Sequence, residues 1–299
     1  MLTTRQIEVL HALLSTGSAT SAGHVLGISQ PAVSNALQQV ERRLGYRLFE
    51  RSGTRLLPTA EALSLWPEIE PLAERLLRIR ELASNLRAGG GETLQVAALP
   101  SVAQAILPLA IAQLPARGRG RIAIQALNSR QIATELLLRG IDIAFDYGGP
   151  LHPGIQRESI VTADWVCAAP LGSLARSATV TPSLLARQRT VSVANTDPIR
   201  ERLAAVGYVD DGASDLSVRS FPVALRFVEL GQGLAILDPF TAASADPQRV
   251  SLHRLDPPPV LTLYRVSPAA RPAPAQAASL FEAMRSQASE LIARTFAAI

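Results

Sequence analysis

The stretch Ser18–Arg51, SATSAGHVLGISQPAVSNALQQVERRLGYRLFER, decides how the N-terminal part of the chain folds. It holds two segments in which apolar residues recur at helical spacing, and Gly27 separates them as a helix-ending residue. In the second segment, Val33 and Val40 mark the face that a core would cover. The pattern predicts two short helices joined by a tight turn, with a bracing helix over 4–15 before them.

The second predicted helix has a polar face of hydrogen-bonding side chains, which can reach base edges in a DNA major groove. Its members are Gln30, Ser34, Asn35, Gln38 and Arg42. A helical hairpin with a solvated polar face is the alternative, since most surface helices have such a face. Ser29 or Gln30 can cap the helix before Pro31 in its first turn. The run 46–56 predicts two short strands around a glycine turn, and a helix–turn–helix followed by a small basic hairpin is a winged DNA-binding unit.

The composition is that of a folded, modestly basic chain. It has 299 residues, of which 47% are hydrophobic, enough for two or three compact units. The net charge of +4 does not by itself argue for nucleic acid, and all 29 basic residues are arginine. Most arginines of 1–58 follow position 41, beside the proposed groove-reading helix, where they can neutralise phosphates.

The cysteine count limits the possible chemistry, and the lack of an export signal limits the expected location. A single cysteine, Cys167, rules out an intramolecular disulfide and a cysteine-based metal cluster. The segment MLTTRQIEVLHALL has no long apolar run, so it does not read as a signal peptide. No uncharged apolar stretch is long enough to span a bilayer. We therefore expect a soluble, cytoplasmic protein.

A long helix is predicted over 59–88. Its apolar residues follow the 4-3 spacing of a coiled-coil seam, and they are Leu65, Ile69, Leu72, Leu76, Ile79, Ala83 and Leu86. This stripe packs either on its own domain or on a second copy, and we favour a dimer because a helix between domains has little else to lie against. Pro67 and Pro71 predict a kink or weak first turns. Gly89–Gly91 follows as a hinge, so the predicted domains are 1–58, 59–88, 89–91 and 92–299.

Short apolar strands alternate with helices beyond this hinge. The alternation predicts a parallel sheet with helices on its faces, repeated as two α/β lobes with a cleft between them. The predicted strands are 93–98, 121–127, 141–145, 165–169, 190–193, 217–220, 233–237 and 260–265. The predicted helices are 101–114, 129–139, one that begins at 197, 221–230 and 274–298.

Polar residues follow several predicted strands where a helix begins, which is where ligands bind in open α/β sheets and where exposed N–H groups attract anions. The candidate contacts are Pro100, Ser101, Asn128, Ser129, Asn195, Thr196, Asp197 and Phe221. Helix capping is the alternative for each junction taken singly. Arg200 can pair with a ligand carboxylate or be solvated, and Phe145 can line the site or belong to the core. Together these residues predict a site for a small carboxylate.

Enzyme chemistry finds little support in the sequence. The four histidines lack metal-ligand spacing, and the nucleophile-elbow and P-loop motifs are missing. We expect no cofactor and no metal. Asp142 and Asp146 lie on one predicted strand and can face a cleft, but such a pair is usually structural. An exported solute-binding protein would share the two lobes but not residues 1–88.

The run from Gly27 to Arg51 resembles the DNA-binding signature of LysR-type transcriptional regulators, in its S-Q-P-A-V-S, in the acidic Glu41, and in its L-G and L-F-x-R. Within that family the chain resembles in particular the regulators of opine and basic amino-acid metabolism. This similarity is carried by RLLPTAEA at 55–62, LQVAALPS at 94–101, DPIR at 197–200 and LGQGLAILDP at 230–239. The resemblance covers essentially the whole chain.

The resemblance implies a fold and a set of partners. The fold is an α/β two-lobed effector domain similar to periplasmic binding proteins, preceded by an all-α winged helix-turn-helix domain and a long linker helix. The implied DNA contacts are Thr20, Ser29, Gln30, Pro31, Ser34, Asn35, Gln38, Arg42, Arg51 and Arg55. The implied partners are double-stranded DNA with a pseudo-palindromic operator, a small carboxylate effector, and further copies of the chain in a homodimer or tetramer. RNA polymerase is a further candidate partner.

Overall fold

The computed structural model describes residues 2–52, 55–87, 93–115, 120–138, 140–150, 152–193, 197–208, 216–270, 273–297 and 299. The chain divides into two compact units, Met1–Glu92 and Thr93–Ile299. The predicted Gly89–Gly91 hinge lies outside the described residues.

The N-terminal unit consists of three short helices, a hairpin and a long helix. Its elements are α1 (Thr4–Thr16), α2 (Ala19–Leu26), α3 (Gln30–Leu44), β1 (Phe49–Ser52), β2 (Arg55–Pro58) and α4 (Ala60–Arg87). The two strands pair antiparallel. This order confirms the predicted helix–turn–helix with a wing, although the strands begin later than the sequence pattern indicated.

The ends of these helices follow their cap residues. Gly27 and Gly45 end α2 and α3 in the left-handed conformation, with φ of 64° and 82°, which glycine adopts without steric cost. Ser29 occupies the N-cap position of α3, but its side chain makes no capping hydrogen bond. Ser29 is thus at the predicted position, but the capping hydrogen bond is not formed. Pro31 is the second residue of the helix and has no N–H, so one of the two donors that a cap uses is missing.

The core of this unit joins α1, α3, the wing and the start of α4. Its fully buried members include Leu10, Leu13, Val33, Val40 and Leu48. Burial of such side chains stabilises each by about 1.5–3 kcal/mol relative to exposure. The inner face of α3 is thus fixed on α1, and its opposite face is left to solvent.

The predicted seam on α4 has a buried part and an exposed part. Ile69 is buried in the core of its own unit, as the alternative interpretation required. Leu72 and Ile79 are 43% and 63% exposed, as expected for side chains that would pack on a second copy of the chain. The helix runs without interruption through Pro67 and Pro71, and the expected kink or weak first turns stay a prediction.

The first lobe of the C-terminal unit is built on a mixed five-stranded sheet in the order β4-β3-β5-β12-β6. Its elements are β3 (Leu94–Ala98), α5 (Pro100–Ala105), α6 (Leu107–Gln113), β4 (Ile122–Ala126), α7 (Ser129–Leu137), β5 (Ile143–Asp146), β6 (Ile155–Asp164) and β12 (Val260–Pro268). Strand β3 pairs parallel with β4 and β5, whereas β12 pairs antiparallel with β5 and β6. The predicted all-parallel sheet is therefore right for three strands only.

The second lobe contains two smaller sheets, an antiparallel one in the order β10-β7-β11 and a parallel pair β8-β9. Its elements are β7 (Val166–Pro170), α8 (Pro182–Leu185), β8 (Val191–Val193), α9 (Asp197–Ala205), β9 (Leu216–Val218), α10 (Phe221–Glu229), β10 (Ala235–Leu237), α11 (Pro239–Ala242) and β11 (Val250–Arg254). The last helix, α12 (Ala275–Ala297), packs on α6, β6 and α11. The predicted two-lobed α/β architecture is confirmed.

The chain passes between the lobes twice, once at Trp165 between β6 and β7 and once between β11 and β12. One local prediction is wrong, and two strands were missed. The predicted helix 101–114 is two helices that meet at Ile106, because Pro108 cannot donate the hydrogen bond that would continue the first. Strands β6 and β11 were not predicted at all.

Candidate functional site

The outer face of α3 presents the predicted polar side chains. Gln30, Pro31, Asn35, Gln38 and Arg42 are exposed and Ser34 is half-buried. The Gln30 side-chain amide donates to the Ser34 hydroxyl at 2.7 Å. These two side chains therefore hold each other on one helix face, ready to offer donors and acceptors to base edges.

The remaining predicted DNA contacts lie around this helix. Thr20, Ser29 and Arg55 are exposed. Arg51 lies in β1, but its side chain is outside the described part of the structure. A guanidinium on a wing strand is suited to phosphate binding, because it carries a permanent charge and five donors.

Glu41 connects this helix to the wing. Its Oε1 accepts hydrogen bonds from the backbone N–H of Leu48 at 2.8 Å and of Phe49 at 3.2 Å. The carboxylate at the end of α3 thereby fixes where β1 begins. The sequence marked Glu41 only as part of a signature, and its positioning role depends on an approach of the backbone that no local pattern reveals.

In the C-terminal unit, a buried polar chain links the two lobes. The Ser101 hydroxyl, at the start of α5, lies 2.9 Å from the Tyr147 hydroxyl. Asp238, at the start of α11, lies near enough to Tyr147 to affect its pKa. Asp238 accepts from the Thr241 hydroxyl at 2.7 Å and from two backbone N–H groups. Ser101 and Tyr147 belong to the first lobe, and Asp238 and Thr241 to the second.

Burial controls the protonation of this chain. Burial raises the pKa of Tyr147 well above its usual range, and the Asp238 charge adds to the effect. Burial also raises the pKa of Asp238, which the Thr241 hydrogen bonds oppose. Tyr147 is consequently a neutral hydroxyl that can donate and accept. Burial raises the pKa of the Cys167 thiol to about 12, so this cysteine is inert at neutral pH.

A tight turn after β5 lies directly against the start of α7. Asp146 accepts hydrogen bonds from the N–H of Gly148 at 2.9 Å and of Gly149 at 3.0 Å. A Cβ at Gly149 would lie 2.5 Å from the Cβ of Ser129, so only glycine fits this approach. Asp142 accepts from the backbone of Gln95. Both aspartates are thus engaged in backbone bonds, as the structural alternative proposed.

A cation from the second lobe reaches this turn. The Arg202 Nη1 donates to the carbonyl of Tyr147 at 3.3 Å, and its Nη2 lies beside Gly148. Arg200, the arginine chosen from the sequence, is exposed on the same helix. The sequence missed Arg202, because both arginines lie on α9 and only the orientation of that helix distinguishes them.

The other predicted contacts are distributed as follows. Pro100 is exposed in the first turn of α5, and the Asn128 side chain caps α7 by accepting from Gln131 N–H at 3.0 Å. Phe145 is fully buried in the central sheet, so it is a core residue and not an apolar wall. Phe221 is buried against Trp165, with ring centroids 5.3 Å apart. Asn195, Thr196 and the side chain of Asp197 lie outside the described part.

Two absences concern only the residues that the structure describes. Over these ranges, no three His, Cys, Asp or Glu side chains cluster in a way that could hold a metal ion. Likewise, none of the described helices combines the length and the apolar character needed to cross a membrane.

Family comparisons cover both units. Residues 4–63 match the family model described as "Bacterial regulatory helix-turn-helix protein, lysR family". Residues 87–289 match the model described as "LysR substrate binding domain". The alternative of an exported solute-binding protein does not account for the first match.

Individual proteins give the same result. The chain is 30% identical to the octopine catabolism/uptake operon regulatory protein OccR of Rhizobium meliloti, over 80% of each chain. It is 27% identical to the regulatory protein NocR of Agrobacterium fabrum (strain C58), over 86% of this chain and 87% of that one. The crystal structure of CbnR, a LysR family transcriptional regulator, superposes with a TM-score of 0.72 at 18% identity, covering 96% of this chain and 99% of that chain. These relatives are transcriptional regulators and not enzymes.

Proposed function

We propose that a small carboxylate controls this protein, which belongs to the LysR family of DNA-binding transcriptional regulators. The carboxylate would be held between the two lobes, beside the turn that follows β5. Amino acids, opines and related acids are the candidate ligands. The proposal is supported by the geometry of the described residues and by the relationship to OccR, whose name refers to octopine.

The observation that carries the proposal is the position of Arg202. Its guanidinium crosses from α9 of the second lobe to the Tyr147–Gly149 turn of the first. One hydrogen bond to a carbonyl uses only part of its five donors. The remaining donors suit a ligand carboxylate, because bidentate guanidinium–carboxylate pairs are among the stronger hydrogen-bonded contacts in proteins.

Hydroxyl groups near the same turn can bind the rest of the ligand. Ser101 and Ser129 stand at the N-termini of α5 and α7, which follow β3 and β4 at one edge of the first sheet. Helix N-termini at this edge favour negatively charged ligands. A ligand bound to these groups and to Arg202 would contact both lobes at once.

Such a ligand would favour the arrangement in which the lobes are closed, since it gains contacts with both only in that state. We propose that closure changes the spacing of paired DNA-binding units, which the exposed part of the α4 seam brings together in a dimer or tetramer. The α3 helix would read the major groove, and Arg51 and Arg55 would contact the backbone. A changed spacing would alter DNA bending and the access of RNA polymerase.

A thermal-shift screen of the full chain tests the proposal. Amino acids, opines and organic acids are each compared with the corresponding amide. A carboxylate that binds the folded state raises the apparent Tm, and its amide should raise it much less. If no carboxylate raises the Tm, or if amides act equally well, the proposed ligand class is wrong.

A further inference from the structure

A cavity lies between helices of the two lobes. It has a volume of about 250 Å³ and is formed by α5 of the first lobe and by α10 and α11 of the second. Residues that line it include Gln104, Leu225, Arg226, Glu229, Thr241 and Ser244. We call it the α5–α10 groove. It shares Ser101 with the site proposed above, but Ser129 and Arg202 are not among its lining residues.

The groove contains an ion pair in an unusual setting. Arg226 Nη1 donates to Glu229 Oε2 at 2.7 Å. The Arg226 side chain is 61% exposed, whereas that of Glu229 is only 13% exposed. The carboxylate is therefore largely shielded from solvent, whereas most of the arginine side chain is exposed. An ordinary i,i+3 pair has both side chains in solvent and contributes little to stability. This pair differs because its carboxylate is mostly buried.

Glu229 has unused hydrogen-bonding capacity. A carboxylate offers about four acceptor positions, and among the described residues Arg226 is the one partner that Glu229 has. Arg226 likewise has further donors. A molecule in the groove that carries both an ammonium and a carboxylate would bind antiparallel to this pair, so that each charge meets its opposite.

The other lining residues fit a small molecule of that kind. Leu225, Ala105 and Pro222 provide an apolar side for a short aliphatic chain. Gln104 and Ser244 are exposed at the mouth, where they can bond to polar atoms of the ligand. We propose that the α5–α10 groove is a second ligand site, which binds a small zwitterionic amino acid through Arg226 and Glu229.

A ligand in this groove would contact both lobes. Its wall includes Ser101 and Thr241, the two ends of the buried chain that passes through Tyr147 and Asp238. A ligand between α5 and α10 joins the same two lobes at a different place from Arg202. The second site would therefore adjust the response to the first ligand without replacing it.

Isothermal titration calorimetry of the full chain with three matched probes tests the proposal. L-norvaline carries both charges, pentanoate only the carboxylate and butylamine only the ammonium. L-norvaline should bind saturably, and each single-charge probe should bind about tenfold more weakly or worse, as expected for the loss of a charged hydrogen bond. Glu229→Gln and Arg226→Gln should each weaken L-norvaline to a similar extent, and Gln104→Phe should block the mouth.

Two control variants test whether L-norvaline binds in this groove and not elsewhere on the chain. Glu282→Gln removes the carboxylate of an exposed i,i+3 pair on α12 and should leave L-norvaline binding unchanged. Arg249→Gln removes the guanidinium of another exposed i,i+3 pair and should also retain L-norvaline binding, because Arg249 does not line the groove. The proposal is overturned if L-norvaline does not bind, if the Arg226 and Glu229 variants bind it like wild type, or if the Glu282 and Arg249 variants weaken it to the same extent.

Discussion

Arg202 of the second lobe donates a hydrogen bond to the backbone carbonyl of Tyr147 in the first lobe, at 3.3 Å. This contact joins the lobes at the turn where we propose that the effector carboxylate binds. Helix α12 also packs on both lobes, against α6 and β6 of the first and α11 of the second. We propose that a ligand held by this guanidinium would favour the closed arrangement of the lobes.

Substitution of this arginine should separate sensing from DNA binding. Arg202→Met removes the charge that would pair with a carboxylate, and we expect effector affinity to fall about tenfold or more. Operator affinity without effector should not change. Arg200→Met is the matched control, because Arg200 lies exposed on the same helix. Calorimetry and gel shifts measure the two effects, and an equal loss of effector binding in both variants would contradict the assignment.

Two substitutions on the DNA-binding face should weaken DNA binding in different ways. Gln30→Ala removes a base-reading side chain, so operator binding should weaken by about 1–3 kcal/mol while binding to unrelated DNA stays the same. Arg55→Ala removes a phosphate contact, so both kinds of DNA should bind more weakly and the salt dependence should decrease by about one unit of slope. Gel shifts at several salt concentrations distinguish these results. Wild-type operator affinity in Gln30→Ala would show that α3 does not read bases through this residue.

The exposed half of the α4 seam predicts a dimer contact. Ile79→Glu places a charge on an apolar position that is 63% exposed in the single chain, and it should shift the protein towards monomer. Leu63→Glu is the control, since Leu63 is exposed on the same helix but lies outside the seam. Light scattering at several concentrations gives the masses. If Leu63→Glu dissociates the protein and Ile79→Glu does not, the seam is wrongly placed.

A buried histidine predicts that the C-terminal unit loses stability in acid. His253 is fully buried, its Nδ1 lies 3.0 Å from the Ala178 carbonyl and its Nε2 lies 2.8 Å from the Ser251 hydroxyl. Because a carbonyl only accepts, Nδ1 carries the proton and Nε2 accepts. Burial lowers the pKa of His253, so below about pH 6.5 the unfolded chain takes up a proton before the folded one does.

The contribution of the neutral His253 side chain to the free energy of unfolding is therefore complete above about pH 6.5, and it is lost progressively as the pH falls below that value. His253→Gln should reduce the decrease in Tm between about pH 7.5 and about pH 5.5, at the cost of some stability at neutral pH. His24→Gln, at an exposed position of α2, should leave the decrease unchanged. Thermal unfolding at the two pH values measures this. An unaltered decrease in His253→Gln would show that other groups cause it.

The N-terminal unit could be predicted closely because its signals are local. Apolar residues at helical spacing and the glycines at 27 and 45 lie within a few residues of the structure that they determine. Strand β6 gave no such signal. Its residues 156–159 are polar, and its partner β12 lies about a hundred residues away, so only the folded sheet reveals the pairing.

The effector site could be predicted only in part for a related reason. Strand–helix junctions such as Ser101 and Ser129 can be read from the sequence, because parallel strands bring their carboxyl ends together. Which of two arginines on α9 faces the other lobe depends on how that helix packs. The burial of Phe145, with both faces of its sheet covered, also depends on tertiary structure.

The most direct test of ligand-controlled DNA binding is a nuclease footprint of the protein on its operator, with and without a carboxylate identified in the thermal-shift screen. At saturating ligand we expect the protected region to change in length or to show altered cleavage between the half-sites, because the DNA-binding units change their spacing. The Arg202→Met protein should keep the ligand-free footprint at the same ligand concentration. A wild-type footprint that is identical with and without saturating ligand would contradict the proposed mechanism.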